Sequence, residues 1–337
     1  MPRAGKAPGS RSVAELEDEV SSLRKELART RMERDILKSG GVLCQGIAAG
    51  YAFMKVWRGQ YPVPLMAQTL EVSRAGFHAW LKRPPSQRAQ EDGRLKVAVL
   101  AAHRKARETY GTRRLLKDLR EDGWRPGRDR LARLRKELGI RCRQQRRFRV
   151  TTDSQHERPA ASNLLEQQFT AGRPDELWHG DITCISTAES GLYLAALKDP
   201  YTREIAGYAM GPRMTQGWVT AALQMALWRR RPVPGLIHHS DCGSQYCAKD
   251  YQALLKKHGV QISMSRKGNC YDNAPIESCW GSLKNGMVHH RPFATRADAG
   301  AAIREYIEIF HNRQRRRSRP GYLAPAVFAQ SYWKSAA

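Results

Sequence analysis

The sequence lacks long hydrophobic runs and paired cysteine motifs, and each absence excludes a class of protein. No stretch approaches the ~20 apolar residues that a membrane-spanning helix needs, and the opening MPRAGKAPGSRS has no apolar core of a secretory signal. The seven cysteines never form a CxxC pair, which argues against a disulfide framework and a zinc site. The chain is therefore expected to stay in the cytoplasm, with free thiols and no membrane partner.

Acidic residues are also scarce relative to basic ones. Lysine and arginine total 58 against 32 acidic residues, so the formal charge is +26. A surplus of this size indicates a polyanionic partner, and nucleic acid is the expected one. A basic membrane-surface protein would carry an amphipathic basic helix with a bulky apolar face or a lipidation signal, and neither is evident.

The N-terminal region has the spacing of a coiled coil. Residues 13–38 are predicted to form a dimerisation helix, because apolar residues alternate at intervals of three and four; they are Val13, Leu16, Val20, Leu23 and Leu27. The alternative is an amphipathic helix packed on its own domain. Residues 1–12 are predicted to be a disordered tail, and the glycine-rich stretch within 39–55 a linker.

Two helical units follow. Residues 56–90 have helix-turn-helix spacing, with one helix after Pro64 and a second capped by Ser73. Residues 91–145 are predicted to be a second helical DNA-binding domain, and 146–172 a basic linker. The arginines on the helix pair of this second helical domain, residues 91–145, are expected to contact phosphates. They are Arg113, Arg114, Arg128, Arg130 and Arg133. The alternative for these arginines is an ordinary solvated face.

The pattern changes after the linker. Within 173–292, three consecutive strand-like runs are followed by helix, strand, helix and strand, which predicts a mixed sheet flanked by helices. Residues 293–337 are predicted to be a C-terminal helix and basic tail. The fold class is therefore multidomain, with an N-terminal all-α coiled coil and helix-turn-helix units followed by an α/β core.

Three acids are candidates for chemistry. Asp181 lies within an apolar strand, Asp241 lies just beyond another strand, and Glu277 lies in the first turns of a helix started by Pro275. Converging carboxylates would favour Mg²⁺ or Mn²⁺, and two such ions suit in-line displacement at phosphorus. Singly, each acid has an ordinary interpretation: a hydrogen-bonded buried aspartate, a turn residue and a helix N-terminal acid.

The residues around these acids resemble a known family. W-x-x-D-I-T at 178–183, H-S-D-x-G-S-Q-Y at 239–246 and S-x-x-G-N-x-Y-D-N-A-x-x-E-S at 265–278 resemble the three blocks of the retroviral-integrase-like core in insertion-sequence-three family transposases of the OrfAB type. The tail at 306–325 is similar to the ending of that family. The segment YGTRRLLKDLREDGW resembles its helix-turn-helix block, so the resemblance covers most of the chain.

The resemblance implies a ribonuclease-H-like core that cleaves DNA and transfers strands through a 3′-hydroxyl. Asp181, Asp241 and Glu277 would be the catalytic residues and the ligands of two Mg²⁺ ions, with Mn²⁺ able to substitute. The partners would be the terminal inverted repeats, target DNA and further copies of the chain in at least a dimer. The expected location is the bacterial cytoplasm, associated with the nucleoid.

Further residues follow from the same blocks. Asn273 is expected beside the metal ligands or on DNA, and Ser240 and Gly243 are expected to shape the loop at the second acid. Phosphate contacts are expected from Lys284 and from the tail residues Arg313, Arg315 and Arg316. The helix bearing Glu277 is expected to need DNA or a partner subunit before its carboxylate reaches the metals.

Alternatives and departures remain. Family members normally begin with a separate helix-turn-helix, so this chain is expected to be truncated or internally initiated. A hydrolytic nuclease of the same fold would need neither paired DNA ends nor a multimer. A noncatalytic DNA-binding protein would need at least one disabled acid, and all three acids are present.

Overall fold

The computed structural model describes residues 12–39, 46–143, 161–266 and 270–336. The chain divides into two compact units, Met1–Gln90 and Glu91–Ala337. Across these described residues, no helix is both long and apolar enough to span a bilayer. Most of the predicted tail at 1–12 and the start of the predicted basic linker at 146–172 lie outside them.

The first unit is helical. Its elements are α1 (Val13–Ser39), α2 (Ile47–Trp57), α3 (Val63–Thr69) and α4 (Arg74–Lys82). The Ser73 hydroxyl accepts a hydrogen bond from the Gly76 amide at 3.1 Å, so the cap predicted for the second helix of the pair is confirmed. Aromatic and aliphatic side chains from all four helices form one core, which includes Ile36, Tyr51, Met66 and Phe77.

The linker predicted over 39–55 is wrong from Ile47 onwards. Helix α2 occupies this stretch and buries Tyr51, Phe53 and Met54. An added Cβ at Gly50 would lie 3.2 Å from a Val72 methyl group, so this glycine permits close packing and does not mark a flexible segment. Residues 40–45 of the predicted linker lie outside the described part of the chain.

Helix α1 combines an exposed apolar seam, as in a coiled coil, with an end that packs on its own domain. Its predicted seam is exposed, at Val13, Leu16, Val20, Leu23 and Leu27, whereas Ile36 near its end is fully buried in the first unit. The end of the helix therefore packs on its own domain. Dimerisation through the exposed seam stays a prediction.

Three helices come next, and the first of them begins just before the boundary at Glu91. They are α5 (Gln87–Lys105), α6 (Thr112–Glu121) and α7 (Arg128–Glu137). Gly123 and Gly139, just beyond α6 and α7, have φ angles of 86° and 66°, the left-handed conformation expected of a glycine that ends a helix. Leucines at 95, 115, 119, 131 and 134 form the shared core of this helical subdomain.

A five-stranded mixed sheet follows, as predicted. Its strands are β1 (Leu177–Thr187), β2 (Ser190–Lys198), β3 (Ile205–Gly211), β4 (Ile237–Ser240) and β5 (Gln261–Met264), in the order β3-β2-β1-β4-β5. Strands β1, β2 and β3 pair antiparallel, whereas β4 pairs parallel to both β1 and β5. Strand β1 is therefore central and joins the antiparallel part of the sheet to the parallel part.

Helices cover both faces of this sheet. Helices α8 (Gln216–Arg230) and α9 (Lys249–Lys257) pack on one face. The other face carries α10 (Ala274–Gly286) and α11 (Arg296–Glu305). Two 3₁₀ turns, Cys270–Asn273 and Val288–His290, flank α10. Helix α11 continues as a π-helical segment, Tyr306–Gln314, and α12 (Pro325–Ala336) is the last described element.

The predicted domain boundary at 292 divides a continuous core. Ala299, Ile303 and Tyr306 are fully buried and share one cluster with Trp280 of α10 and Ile185 of β1. Because these apolar residues recur at helical spacing, the segment after 292 packs under the sheet and is not a peripheral tail.

Helix α8 packs closely on the sheet at Gly207 of β3. An added Cβ there would overlap the Ala222 carbonyl oxygen and lie 2.6 Å from the Ala226 amide nitrogen, both on the backbone of α8. Gly207→Ala is expected to destabilise the protein by about 2–3 kcal/mol, because backbone cannot yield as a side chain does. Calorimetric thermal unfolding of the full chain measures this. Gly217→Ala, on α8 with its nearest neighbour at 3.7 Å, is the control; equal losses in both variants would contradict the packing argument.

Candidate active site

Asp181 projects from the middle of the central strand. Its Oδ2 accepts a hydrogen bond from the Trp280 indole nitrogen at 2.8 Å, and its Oδ1 accepts one from the Ile182 amide at 2.8 Å. Burial first, and then the nearby carboxylates of Asp241 and Glu277, raise the pKa of Asp181 to about 7. Asp181 is therefore a carboxyl group whose charged form is disfavoured by its surroundings.

Asp241 is placed beside Asp181 by strand register. His179 on β1 pairs with His239 on the parallel strand β4, and each aspartate lies two residues further along its own chain. The Gly243 amide donates to Asp241 Oδ1 at 3.0 Å, and the Ser240 hydroxyl donates to the Asp241 carbonyl at 3.0 Å. A Cβ at Gly243 would itself stand 3.0 Å from Asp241 Oδ1, so this position favours glycine.

Glu277 reaches the site from α10. Pro275 lies in the first turn of this helix, as predicted, and the Glu277 side chain is exposed. Its pKa is raised by partial burial and by the Asp241 carboxylate. Asp181 thus feels the charge of both other acids, and Glu277 feels the charge of Asp241, so the fold brings the three predicted residues near one another.

The three carboxylates lie near one another, but they do not adopt the geometry of a metal site. Among residues 12–39, 46–143, 161–266 and 270–336, no three acidic, histidine or cysteine side chains are near enough together to enclose an ion. The donor set nevertheless fits a hard divalent cation, because it consists of carboxylate oxygens whose mutual repulsion a cation would relieve. Glu277, exposed on a helix, is the ligand that has to approach further.

Two residues at this site were missed from the sequence. Trp280 lies three residues after Glu277 and so on the same helix face, a spacing that pointed towards the acids. Asp272 is 1% exposed and is salt-bridged to Arg266.

Asn273, which was predicted beside the ligands or on DNA, is 4% exposed, and its side-chain nitrogen donates a hydrogen bond to the Gly180 carbonyl of β1. Its side chain is therefore too buried for a DNA contact.

The predicted phosphate contacts on the helical subdomain divide into two groups. Arg113 and Arg128 are exposed, whereas Arg114 is partly buried with its guanidinium 5.7 Å from the centre of the Tyr110 ring. Arg130 and Arg133 both pair with Asp92, at 2.7 and 2.6 Å. The prediction for Arg130, which is only partly exposed, is corrected because Asp92 already holds its guanidinium; Arg133 remains exposed, so its phosphate contact stays a prediction.

The tail arginines divide in the same way. Arg313 is exposed and Lys284 partly exposed, but Arg315 is buried and donates to the Tyr306 hydroxyl at 3.1 Å. Arg316 pairs with Asp118 and Glu121 of α6. The Arg316 contacts tie the tail to the helical subdomain, and Arg315 is buried, so the prediction that Arg315 and Arg316 bind DNA is also corrected.

Family models match most of the second unit. Two models described as integrase core domain match residues 171–270 and 277–331, and one described as an HTH-like domain matches residues 90–148. The central mixed sheet and its acids lie inside the integrase matches. The fold and its family define an integrase-core enzyme, a polynucleotidyl transferase.

Curated relatives give the family more closely. The "Insertion element IS600 uncharacterized 31 kDa protein" of Shigella sonnei is 55% identical over 272 residues, covering 81% of this chain and 100% of the relative. "Transposase InsF for insertion sequence IS3A" of Escherichia coli strain K12 is 40% identical over 280 residues, covering 82% of this chain and 97% of the relative. The chain therefore belongs to the insertion-sequence-three family of transposases, as its motifs predicted.

A solved structure is similar to part of this chain. The HTLV-2 integrase catalytic core domain in complex with magnesium, in its trimeric form, is 14% identical, with a TM-score of 0.38. The match covers 48% of this chain and 99% of that one. At this distance the likeness adds nothing to the assignment.

The raised pKa of Asp181 predicts a pH-dependent stability. Its folded pKa of about 7 lies above the ordinary aspartate value of about 4, so the stability linked to its protonated form is present below pH 4 and lost as pH rises through 7. In metal-free buffer, Asp181→Asn should therefore exceed wild type by about 1–2 kcal/mol at pH 8, allowing for solvent screening, and match it near pH 4. Thermal unfolding in EDTA measures both values.

A matched control uses an aspartate outside the site. Asp250 is exposed in the first turn of α9, where a negative charge favours the helix. Asp250→Asn should give no gain at pH 8. An Asp181→Asn variant that is no more stable than wild type at pH 8 would show that the site does not disfavour the charged carboxylate.

Proposed function

We propose that this chain cleaves the ends of an insertion sequence and joins their 3′ ends to target DNA. Asp181, Asp241 and Glu277 are proposed to hold two Mg²⁺ ions, with Mn²⁺ able to substitute. The observation that carries the proposal is the placement of Asp181 and Asp241 on adjacent parallel strands with Glu277 on α10 nearby, within an integrase core. Burial and the neighbouring carboxylates raise the pKa of Asp181 to about 7, and burial and the Asp241 carboxylate raise that of Glu277.

Each acid has a distinct part in this proposal. Asp181 and Asp241 supply oxygens from neighbouring strands, held by the Trp280 indole and the Gly243 amide. Asp181 gives up its proton as the positive charge arrives, because a nearby cation favours the carboxylate. When bound, a pair of divalent ions activates an attacking oxygen and stabilises the leaving oxygen at phosphorus. Glu277 completes the ligand set from α10.

The proposed assembly contains at least two copies of the chain. The exposed apolar residues of α1 support pairing with a second copy through a coiled coil. Two copies would hold two terminal inverted repeats near one target DNA, and the proposed location is the bacterial nucleoid. Hydrolysis and strand transfer use the same residues, so product analysis is needed to separate a transposase from a nuclease.

Removing one acid tests the proposed chemistry. Asp241→Asn should bind insertion-sequence-end DNA as wild type does but lose Mg²⁺-dependent joining by at least about 100-fold, equal to about 2.7 kcal/mol of activation free energy. The assay combines a mobility shift with joining of end DNA to a supercoiled plasmid. If Asp241→Asn forms joined products at the wild-type rate, the three acids are not the catalytic residues. If the wild-type protein gives nicked plasmid without joined products, it is a hydrolytic nuclease and not a transposase.

DNA affinity in the proposal depends on exposed arginines of the helical subdomain. Arg113→Ala should lower the slope of log binding constant against log salt concentration by about 1, because one phosphate contact releases about one counterion. Arg130→Ala is the matched control, since its side chain is already held by Asp92. Fluorescence anisotropy across a salt series measures both slopes. Equal slopes in both variants would contradict the division between exposed and internally paired arginines.

A further inference from the structure

Asn273 occupies a capping position without capping. It is the residue before α10, with φ −119° and ψ 22°, and its side chain makes no hydrogen bond to the helix. Asparagine at this position usually accepts a bond from an amide of the first turn, which stabilises the helix by about 1 kcal/mol. The fold therefore forgoes local helix stability here, and the side chain is committed elsewhere.

The side chain bridges α10 to the central strand. Asn273 Nδ2 donates to the Gly180 carbonyl at 2.9 Å, and Asn273 Oδ1 lies 3.1 Å from His179 Nδ1. Because the Asn273 amide nitrogen faces the Gly180 carbonyl, the Asn273 amide oxygen faces His179. It therefore accepts a hydrogen bond from the N–H at Nδ1 of the neutral His179 ring.

The bridge joins two elements that carry acids of the site. Gly180 immediately precedes Asp181, and Asn273 lies four residues before Glu277. Any shift of α10 along β1 would stretch these two hydrogen bonds. A Cβ at Gly180 would approach His238 Cε1 to 2.5 Å, so the strand at this point is itself closely packed and gives a firm reference.

Two neighbouring contacts hold the bridging segment in place. Asp272 accepts hydrogen bonds from Asn163 and Gln167, each at 3.0 Å, and three from Arg266. The Arg266 guanidinium holds the pKa of Asp272 well below its usual range. On the other side, the buried Lys198 ammonium donates to the Pro275 carbonyl at 2.5 Å. The start of α10 is thus fixed from both sides.

We propose that Asn273 is a positioning residue: its amide sets the offset between β1 and α10, so that the Glu277 carboxylate reaches the cations held by Asp181 and Asp241. This inference rests on the proposed function. It assigns Asn273 no contact with DNA or with the ions, since the side chain is buried against β1.

Asn273→Ser separates positioning from capping. Serine caps a helix as well as asparagine does but is too short to reach the Gly180 carbonyl. The variant should fold and bind end DNA, whereas joining should fall 10–100-fold at saturating DNA, a range typical of losing a residue that orients a metal ligand. The Mg²⁺ concentration for half-maximal thermal stabilisation should rise about tenfold. Wild-type values of both in a folded Asn273→Ser variant would overturn the proposal.

Two further variants sharpen the result. Asn285→Ser makes the same change at the far end of α10 and should leave joining and Mg²⁺ dependence unchanged. Asn273→Asp is isosteric and caps well but cannot donate to Gly180; it replaces the serine variant if that protein does not fold. Retention of full Mg²⁺-dependent joining by Asn273→Asp would equally overturn the proposal.

A double-variant cycle tests whether Asn273 acts through Glu277. If it does, Asn273→Ser combined with Glu277→Gln should weaken Mg²⁺-induced stabilisation no more than Glu277→Gln alone, because coupled residues are non-additive. Additive losses would show that Asn273 supports the fold independently and would refute the proposal. Absence of Mg²⁺-dependent joining in wild type would instead refute the proposed function, so the two failures are distinguishable.

Discussion

Repulsion between carboxylates on adjacent strands is the constraint around which the second unit is arranged. Parallel pairing of β1 with β4 places Asp181 and Asp241 side by side, where the ionised pair costs free energy without a cation. The surrounding contacts limit that cost: Trp280 donates to Asp181 and the Gly243 amide donates to Asp241. Glu277 stays exposed, which keeps the third charge from adding its full repulsion to the metal-free protein.

The basic residues serve two purposes that composition alone does not distinguish. Arg130, Arg133 and Arg316 are held by carboxylates of the same unit, and Arg316 joins the tail to α6. Arg107 adds to this junction by pairing with Glu305 at 2.6 Å and covering the Phe310 ring. Part of the charge surplus therefore orients the helical subdomain against the core, and the exposed arginines remain for phosphates.

The features that depend on nearby residues were predicted correctly from the sequence. The strand bearing Asp181, the helix start at Pro275 and the cap at Ser73 all follow from nearby residues, and the structure has each where expected. The pairing of Arg316 with Asp118 joins residues 198 positions apart, and no spacing rule predicts such a contact. Helix α2 was missed because glycines at 46 and 50 suggested flexibility, whereas packing partners distant in sequence decided the outcome.

Helix α10 links the positions of three side chains at the site. Glu277, Trp280 and Lys284 recur at intervals of three and four, so a cation ligand, the donor to Asp181 and a basic side chain share one helix face. A displacement of this helix moves Glu277 towards or away from the ions and, in the same motion, changes the hydrogen bond that steadies Asp181. Because Asn273 and Lys198 tether the first turn of α10 and its later turns are buried in the core through Trp280 and Leu283, the distance from Glu277 to Asp181 depends on where the helix starts.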